Sequence, residues 1–209
     1  MHLAVFASGG GSNFQSILDA VQRGDLPQTE IALCVSNKLQ AGALQRAERH
    51  GIPTAVLRPE DFDSAPAYVE AVLGTLEAHH VDFVALAGYM RKIPSAVVAA
   101  YANRMVNIHP SLLPAFGGQG LYGQRVHEAV LAAGVRWTGA TVHLVDDDYD
   151  TGPIVAQEPV IVEHTDTPKS LAARVLETEH RLYPQALRLF AEGRVRIEGR
   201  TVQITPPAS

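Results

Sequence analysis

Cysteine is nearly absent from this chain of 209 residues, and basic residues are scarcer than acidic ones. Cys34 is the only thiol, which excludes an intramolecular disulfide and any cysteine-based zinc site and fits a reducing compartment. The 17 Lys and Arg against 22 Asp and Glu leave a net charge of -5, and no basic run exists that could track a phosphate backbone or an anionic bilayer. Nucleic acid and membrane are therefore not expected as partners, whereas a small anion needs only one local pocket. No segment approaches the roughly 20 unbroken apolar residues of a membrane span. Met1 to Ala7 lacks a basic leader and runs straight into a glycine-rich turn, so it reads as a strand and not as a signal peptide. The expectation is a cytoplasmic protein.

No repeat, low-complexity tract or Pro/Ser-rich linker interrupts the chain, and a 46% hydrophobic content over this length supports one domain. Apolar runs alternate with segments of helical period, the pattern of strands and crossover helices in a mostly parallel sheet. Strands are expected at Leu3–Ala7, Ile31–Val35, Thr54–Leu57, Phe83–Ala87 and Met105–Ile108, with helices at Phe14–Gln22, Gly42–His50, Pro66–His80 and Ser95–Tyr101. The fold class is α/β: doubly wound, with helices on both faces and a Rossmann-like N-terminal half over residues 1–110. Residues 111–209 form the other half. They hold a glycine-rich stretch Gly117–Gly123, a helix Val126–Ala133, β-rich runs Gly139–Val145 and Ile154–Val162, and a helix Lys169–Glu192 capped near Thr165 or Thr167. A hairpin over Val195–Ile204 turns at Glu198 and Gly199, and Thr205–Ser209 is expected to fray.

Between the first strand and helix lies Ser8-Gly-Gly-Gly-Ser-Asn13, where free backbone N–H groups and the helix dipole favour an anion. The turn is no dinucleotide fingerprint, because Phe14 fills the third glycine position, and no triphosphate loop, because the Lys is missing. Two readings stand: a phosphate site, or a tight turn with Ser12 or Asn13 as helix N-cap.

Asn107 and His109 lie two apart at the carboxyl end of a buried strand, so both point to one face of the sheet edge where open α/β proteins bind ligands. An amide donor beside an imidazole can stabilise a carbonyl oxygen as it becomes negative. The ordinary alternative is a histidine closing the strand end through backbone hydrogen bonds. The Asp146–Asp150 loop reads as a solvated acidic loop. It is not a calcium loop, because Thr151 stands where a glycine is required and Gln157 where the closing Glu should be. Asp150 is the carboxylate chosen to reach His109, where it would raise the imidazole pKa.

Taken in order and spacing, Ser8-Gly-Gly-Gly-Ser-Asn13, Ala87-Gly-Tyr-Met-Arg91, Asn107-Ile-His-Pro-Ser-Leu-Leu-Pro114, Gly139-Ala-Thr-Val-His143 and Asp150-Thr-Gly-Pro153 resemble the phosphoribosylglycinamide formyltransferases over most of the chain. The resemblance implies a single formyltransferase domain that moves the formyl group of 10-formyltetrahydrofolate to the amine of glycinamide ribonucleotide in purine biosynthesis, without a metal. It implies Asn107, His109 and Asp150 as the catalytic trio. Gly11, Ser12 and Asn13 would hold the ribonucleotide phosphate, and Glu179 its ribose or glycinamide end. Folate would lie along Leu86, Tyr89, Met90, Arg91 and Ile93, with Asn107, His143, Asp146, Asp147 and Asp150 completing its site. The assembly expected is a monomer or homodimer.

Three departures from the family pattern are visible: Ala65 stands where many members have an Arg after Phe62-Asp63-Ser64, the loop Ala115–Gln124 is long and glycine-rich, and Leu176 replaces a polar helix residue. The competing functions are a formyltetrahydrofolate deformylase, expected to carry an additional N-terminal domain, and a catalytically silent folate- or nucleotide-binding module, expected to have a damaged trio. A methionyl-tRNA formyltransferase would need a C-terminal nucleic-acid-binding domain.

Overall fold

The computed structural model describes residues 1–207; Ala208 and Ser209, the end of the tail expected to fray, lie outside the described residues. Seven strands make one mostly parallel sheet in the order β3-β2-β1-β4-β5-β6-β7, and two more form a hairpin. The chain divides into two compact units, Met1–Val106 and Asn107 onward, so the break falls inside a strand and a few residues before the expected boundary at 110.

In the first unit β1 (His2–Phe6), β2 (Glu30–Ser36), β3 (Thr54–Val56) and β4 (Phe83–Leu86) alternate with α1 (Ser12–Gln22), α2 (Gly42–Arg49), α3 (Ala65–Ala78) and α4 (Ser95–Ala100). β1 pairs in parallel with both β2 and β4, and β2 with β3. Every residue of β4 is buried, which is why it reads as an unbroken apolar run instead of an alternating one. Helix α1 buries Phe14, Ile17 and Leu18 at the spacing of one helical face. A short 3-10 turn at Pro59–Asp61, not expected from the sequence, precedes α3.

The second unit takes up the last residues of β5 (Met105–His109) and continues through α5 (Gln124–Ala132), β6 (Trp137–Leu144), β7 (Ile154–Ile161), α6 (Pro168–Ala191) and the hairpin β8 (Val195–Glu198) and β9 (Thr201–Ile204). β6 and β7 are antiparallel, pairing Trp137 with Ile161 and Thr141 with Gln157. β7 alternates between covered and exposed positions, as a strand with one wet face does. Thr167 caps α6 through a reciprocal hydrogen-bond pair with Ser170, with Pro168 in the first turn where its missing N–H costs nothing. The stripe Leu171, Val175, Leu182, Tyr183, Ala186 and Leu187 buries one face of α6, and Val126 and Val130 of α5 pack against Leu171 and Val175. The β8–β9 turn is Gly199-Arg200, one residue later than expected.

Candidate active site

Within the first unit, the carboxyl ends of β1, β2 and β4 are tied through one hydroxyl. Ser8 Oγ donates to Asn37 Oδ1 at 2.5 Å and accepts from the Met90 backbone N–H at 2.8 Å, while the Ser8 N–H donates to the Gly88 carbonyl at 3.1 Å. This is the point where the sheet order departs from β1 in both directions, the place where such sheets open a crevice.

The glycine-rich turn follows at once. Gly11, not Ser12 or Asn13, is the N-cap of α1: its φ is 73°, the left-handed region, and a Cβ there would stand 2.7 Å from the Ala43 Cα. The helix therefore begins at Ser12, and no side chain supplies the cap. That corrects the N-cap expectation, which placed the cap at Ser12 or Asn13. Arg46 of α2, which the sequence did not single out, donates through Nε to the Gly10 carbonyl at 2.8 Å and brings a cation to the turn.

The other first-unit residues sort by environment. Leu86 and Ile93 are buried. The Tyr89 ring meets Phe6 edge-on at 5.3 Å, and its hydroxyl lies 3.4 Å from that of Tyr68. Arg91 pairs with Glu60 at 3.1 Å. Met90 is 50% exposed, so it is not plain core.

The second unit gathers the chemically active groups. His109, 4% exposed, turns Nδ1 toward Asp150 Oδ1 at 3.5 Å and Nε2 toward the Phe116 carbonyl at 2.9 Å. Asn107 Nδ2 lies 3.1 Å from His143 Nε2, and that ring nitrogen is 3.6 Å from Asp150 Oδ1. The pairing of Asp150 with His109 expected from the sequence is therefore present.

Its electrostatic outcome differs from expectation. Burial, the largest influence, depresses the His109 pKa and outweighs the Asp150 carboxylate and the Phe116 carbonyl, both of which favour the imidazolium; the pKa lies below the ordinary histidine value. For Asp150 the balance runs the other way. Burial pushes its carboxyl up, but the polar groups around it, His109 and the Gly118 N–H among them, hold it below the ordinary carboxylate value.

The rest of the Asn-Ile-His-Pro-Ser-Leu-Leu-Pro motif is scaffold. Thr141 Oγ1 of β6 donates to the Ser111 carbonyl at 2.6 Å and accepts from Leu113 N–H and Gln157 Nε2, while Ser111 Oγ donates to the Ala115 carbonyl. This network fixes the chain that leaves His109. On the Asp-rich loop, Asp146 accepts from Thr151 Oγ1 at 2.7 Å, Asp147 is exposed, and the Arg200 guanidinium of the hairpin donates to the Thr151 carbonyl at 2.6 Å. Glu179 is 8% exposed on the covered face of α6, which removes the reading of an ordinary solvated helix acid. His127 of α5 is 4% exposed, and burial also depresses its pKa.

Sequence reasoning missed Phe116, Gly118, Arg46, His127 and Arg200. Four of them, all but His127, act through backbone atoms, their own or a partner's, and those carry no residue-type signal. Among the described residues no group of three or more His, Cys, Asp and Glu is placed to hold a metal ion, and no helix is long and apolar enough to cross a membrane. What the second unit offers is an amide donor 3.1 Å from one imidazole and a carboxylate 3.5 Å from a second, groups of the kinds that stabilise an oxyanion and move a proton.

The family model described as formyl transferase matches residues 1–187. A chloroplastic phosphoribosylglycinamide formyltransferase of Vigna unguiculata is 47% identical over 194 residues, covering 92% of this chain and 62% of the relative. This chain thus spans less than two thirds of that plant protein. The phosphoribosylglycinamide formyltransferase of Bacillus subtilis (strain 168) is 40% identical over 185 residues, 88% of this chain and 92% of the relative. Among solved structures, glycinamide ribonucleotide transformylase 1 of Symbiobacterium toebii superposes with a TM-score of 0.92 at 42% identity, covering 99% of this chain and 94% of that one.

Proposed function

The chain belongs to the formyl transferase family, and we propose that it transfers the formyl group of 10-formyltetrahydrofolate to the primary amine of glycinamide ribonucleotide, giving formylglycinamide ribonucleotide and tetrahydrofolate. The observation that carries this reading is the Asn107, His109 and Asp150 cluster, intact in a chain similar over nearly its whole length to enzymes that bear this name.

In the proposed reaction the substrate amine attacks the formyl carbon. A C–N bond forms to glycinamide, the C–N bond to folate breaks, and one proton passes from the attacking amine to the departing folate nitrogen. The Asn107 amide and the His109 N–H face the oxygen that turns negative between those events. Asp150 accepts from the imidazolium that forms and steadies it; the carboxylate itself stays ionised because the donors around it hold its pKa down. His109 Nε2 faces the Phe116 carbonyl, so a substrate oxygen must exchange with that carbonyl or approach through movement of the loop that carries it.

The remaining assignments belong to the same proposal. Gly11, Ser12 and Asn13 at the start of α1 receive the phosphate, supported by the missing side-chain cap, and Glu179 receives the ribose or glycinamide end. Leu86, Tyr89, Met90, Arg91, Ile93, Asn107, His143, Asp146, Asp147 and Asp150 receive the folate. The two units act as one formyltransferase domain, supported by a family match that runs without a break through both. A monomer or homodimer in the cytoplasm, free of nucleic-acid and membrane partners, completes the reading; the single thiol and the net charge of -5 support it.

The test is a spectrophotometric assay with a 10-formylfolate donor, run with and without glycinamide ribonucleotide. Turnover that depends on the ribonucleotide is the expected result. Release of formate without it would replace the transferase by a deformylase, and saturable binding without turnover would leave a binding module.

A further inference from the structure

Asparagine is an ambiguous member of an oxyanion site. Its amide presents two N–H donors on one side and an acceptor oxygen on the other, and the two ends are nearly the same shape. Turned the wrong way, Asn107 would oppose a developing negative oxygen instead of stabilising it. Something must choose the rotamer.

His143 stands where that choice is made. It is 3% exposed near the end of β6, and its Nδ1 lies 2.8 Å from the Leu144 carbonyl, which can only accept. Nδ1 therefore carries a hydrogen. In the neutral ring this leaves Nε2 with a lone pair and no hydrogen. Two groups compete for that nitrogen: Asn107 Nδ2 at 3.1 Å and Asp150 Oδ1 at 3.6 Å. The first distance is a hydrogen bond, and the second is too long for one. A lone pair also attracts an amide N–H and repels a carboxylate oxygen.

We propose that His143 is a positioning residue for Asn107: the Leu144 carbonyl fixes its tautomer, its Nε2 accepts one Asn107 N–H, and the amide is thereby held with its second N–H available to the reacting oxygen. This rests on the transferase reading for its kinetic consequence and on geometry alone for the contact. It changes the part played by a residue that the family resemblance placed only in the folate site.

The experiment compares wild type with His143→Leu and His143→Gln. Leu fills the space without an acceptor, whereas Gln returns an amide oxygen near the place of Nε2. His143→Leu is expected to lower kcat by about 10- to 100-fold, less than the 10²- to 10³-fold that follows complete removal of an oxyanion donor, with the folate Kd and ribonucleotide KM within about 3-fold. His143→Gln is expected to recover at least half of that loss on a logarithmic scale. A second readout needs no activity: ¹⁵N spectra of the ligand-free protein should show a through-hydrogen-bond coupling between Asn107 Nδ2 and His143 Nε2. If the coupling is absent, or if both variants lose kcat equally while folate affinity falls in step, His143 only lines the folate site and the proposal fails. Wild type that transfers no formyl group would overturn the functional reading, and the coupling would then still decide the contact.

Discussion

The backbone N–H of Gly118 donates to Asp150 Oδ2 at 2.8 Å, while the carbonyl of Phe116, two residues earlier, faces His109 Nε2. One short stretch of the glycine-rich loop thus holds both members of the imidazole–carboxylate pair. Gly118 has a φ of 100°, a conformation that a residue with a Cβ enters only under strain of about 1–3 kcal/mol. Gly118→Ala should therefore release Asp150 and lower kcat at least 10-fold, with a fall in melting temperature of about 2–12 °C at most. Kinetics and a thermal melt on the same preparation check this; unaltered kcat would show that the loop does not orient Asp150.

His109→Ala removes the imidazole but not the surfaces assigned to folate. Turnover should fall by two or more orders of magnitude while the folate-analogue Kd, read by fluorescence quenching, stays within about 3-fold. Near-normal turnover would take His109 out of the mechanism.

The glycine-rich turn makes a separate prediction. Gly11→Ala places a methyl group against the Ala43 backbone and forces a φ of 73° on alanine, so it should cost about 1–3 kcal/mol of stability. Asn13→Ala should weaken ribonucleotide binding more than folate binding in calorimetry. Equal weakening of the two would displace the phosphate from the start of α1.

Acid should destabilise the fold in the range of histidine titration. His109 and His127 both have pKa values lowered from 6.5 by burial, so below that value the unfolded chain binds protons that the folded chain resists. Stability is then lost as pH falls from the ordinary histidine value through the lower folded one. Asp150, whose folded pKa lies below 3.8, adds a further loss only at still lower pH, as its carboxylate protonates. Melting temperatures measured from pH 8 to pH 5 should decline, and His127→Gln should show a shallower decline than wild type. Parallel slopes would mean that burial of His127 contributes nothing.

Cys34 is fully buried in β2, and burial pushes its thiol up to about 12. It should resist alkylation in the native protein and react at once in denaturant, which makes labelling a gauge of unfolding. Rapid native labelling would show that β2 opens locally.

The first unit was legible because its signals are local. Buried β4 reads as an apolar run, α1 shows its face as Phe14, Ile17 and Leu18, and the observed strands differ from the expected ones mainly at their ends. The cap of α1 was misread because Gly11 is required by its approach to Ala43, a residue on the next helix. The 3-10 turn at Pro59–Asp61 is too short to show a period.

By itself the sequence determined the alternation of strands and helices and the placement of Asn107 and His109 on one face at the end of β5. Periodicity and spacing encode such facts along the chain. Only the tertiary structure decided that His109 sits below the ordinary histidine pKa, that His143 meets Asn107, and that Phe116 and Gly118 hold the pair through backbone atoms. Desolvation depends on everything packed around a group, and every residue type has the same carbonyl and nearly every one the same N–H, so none of these outcomes is written in the order of side chains.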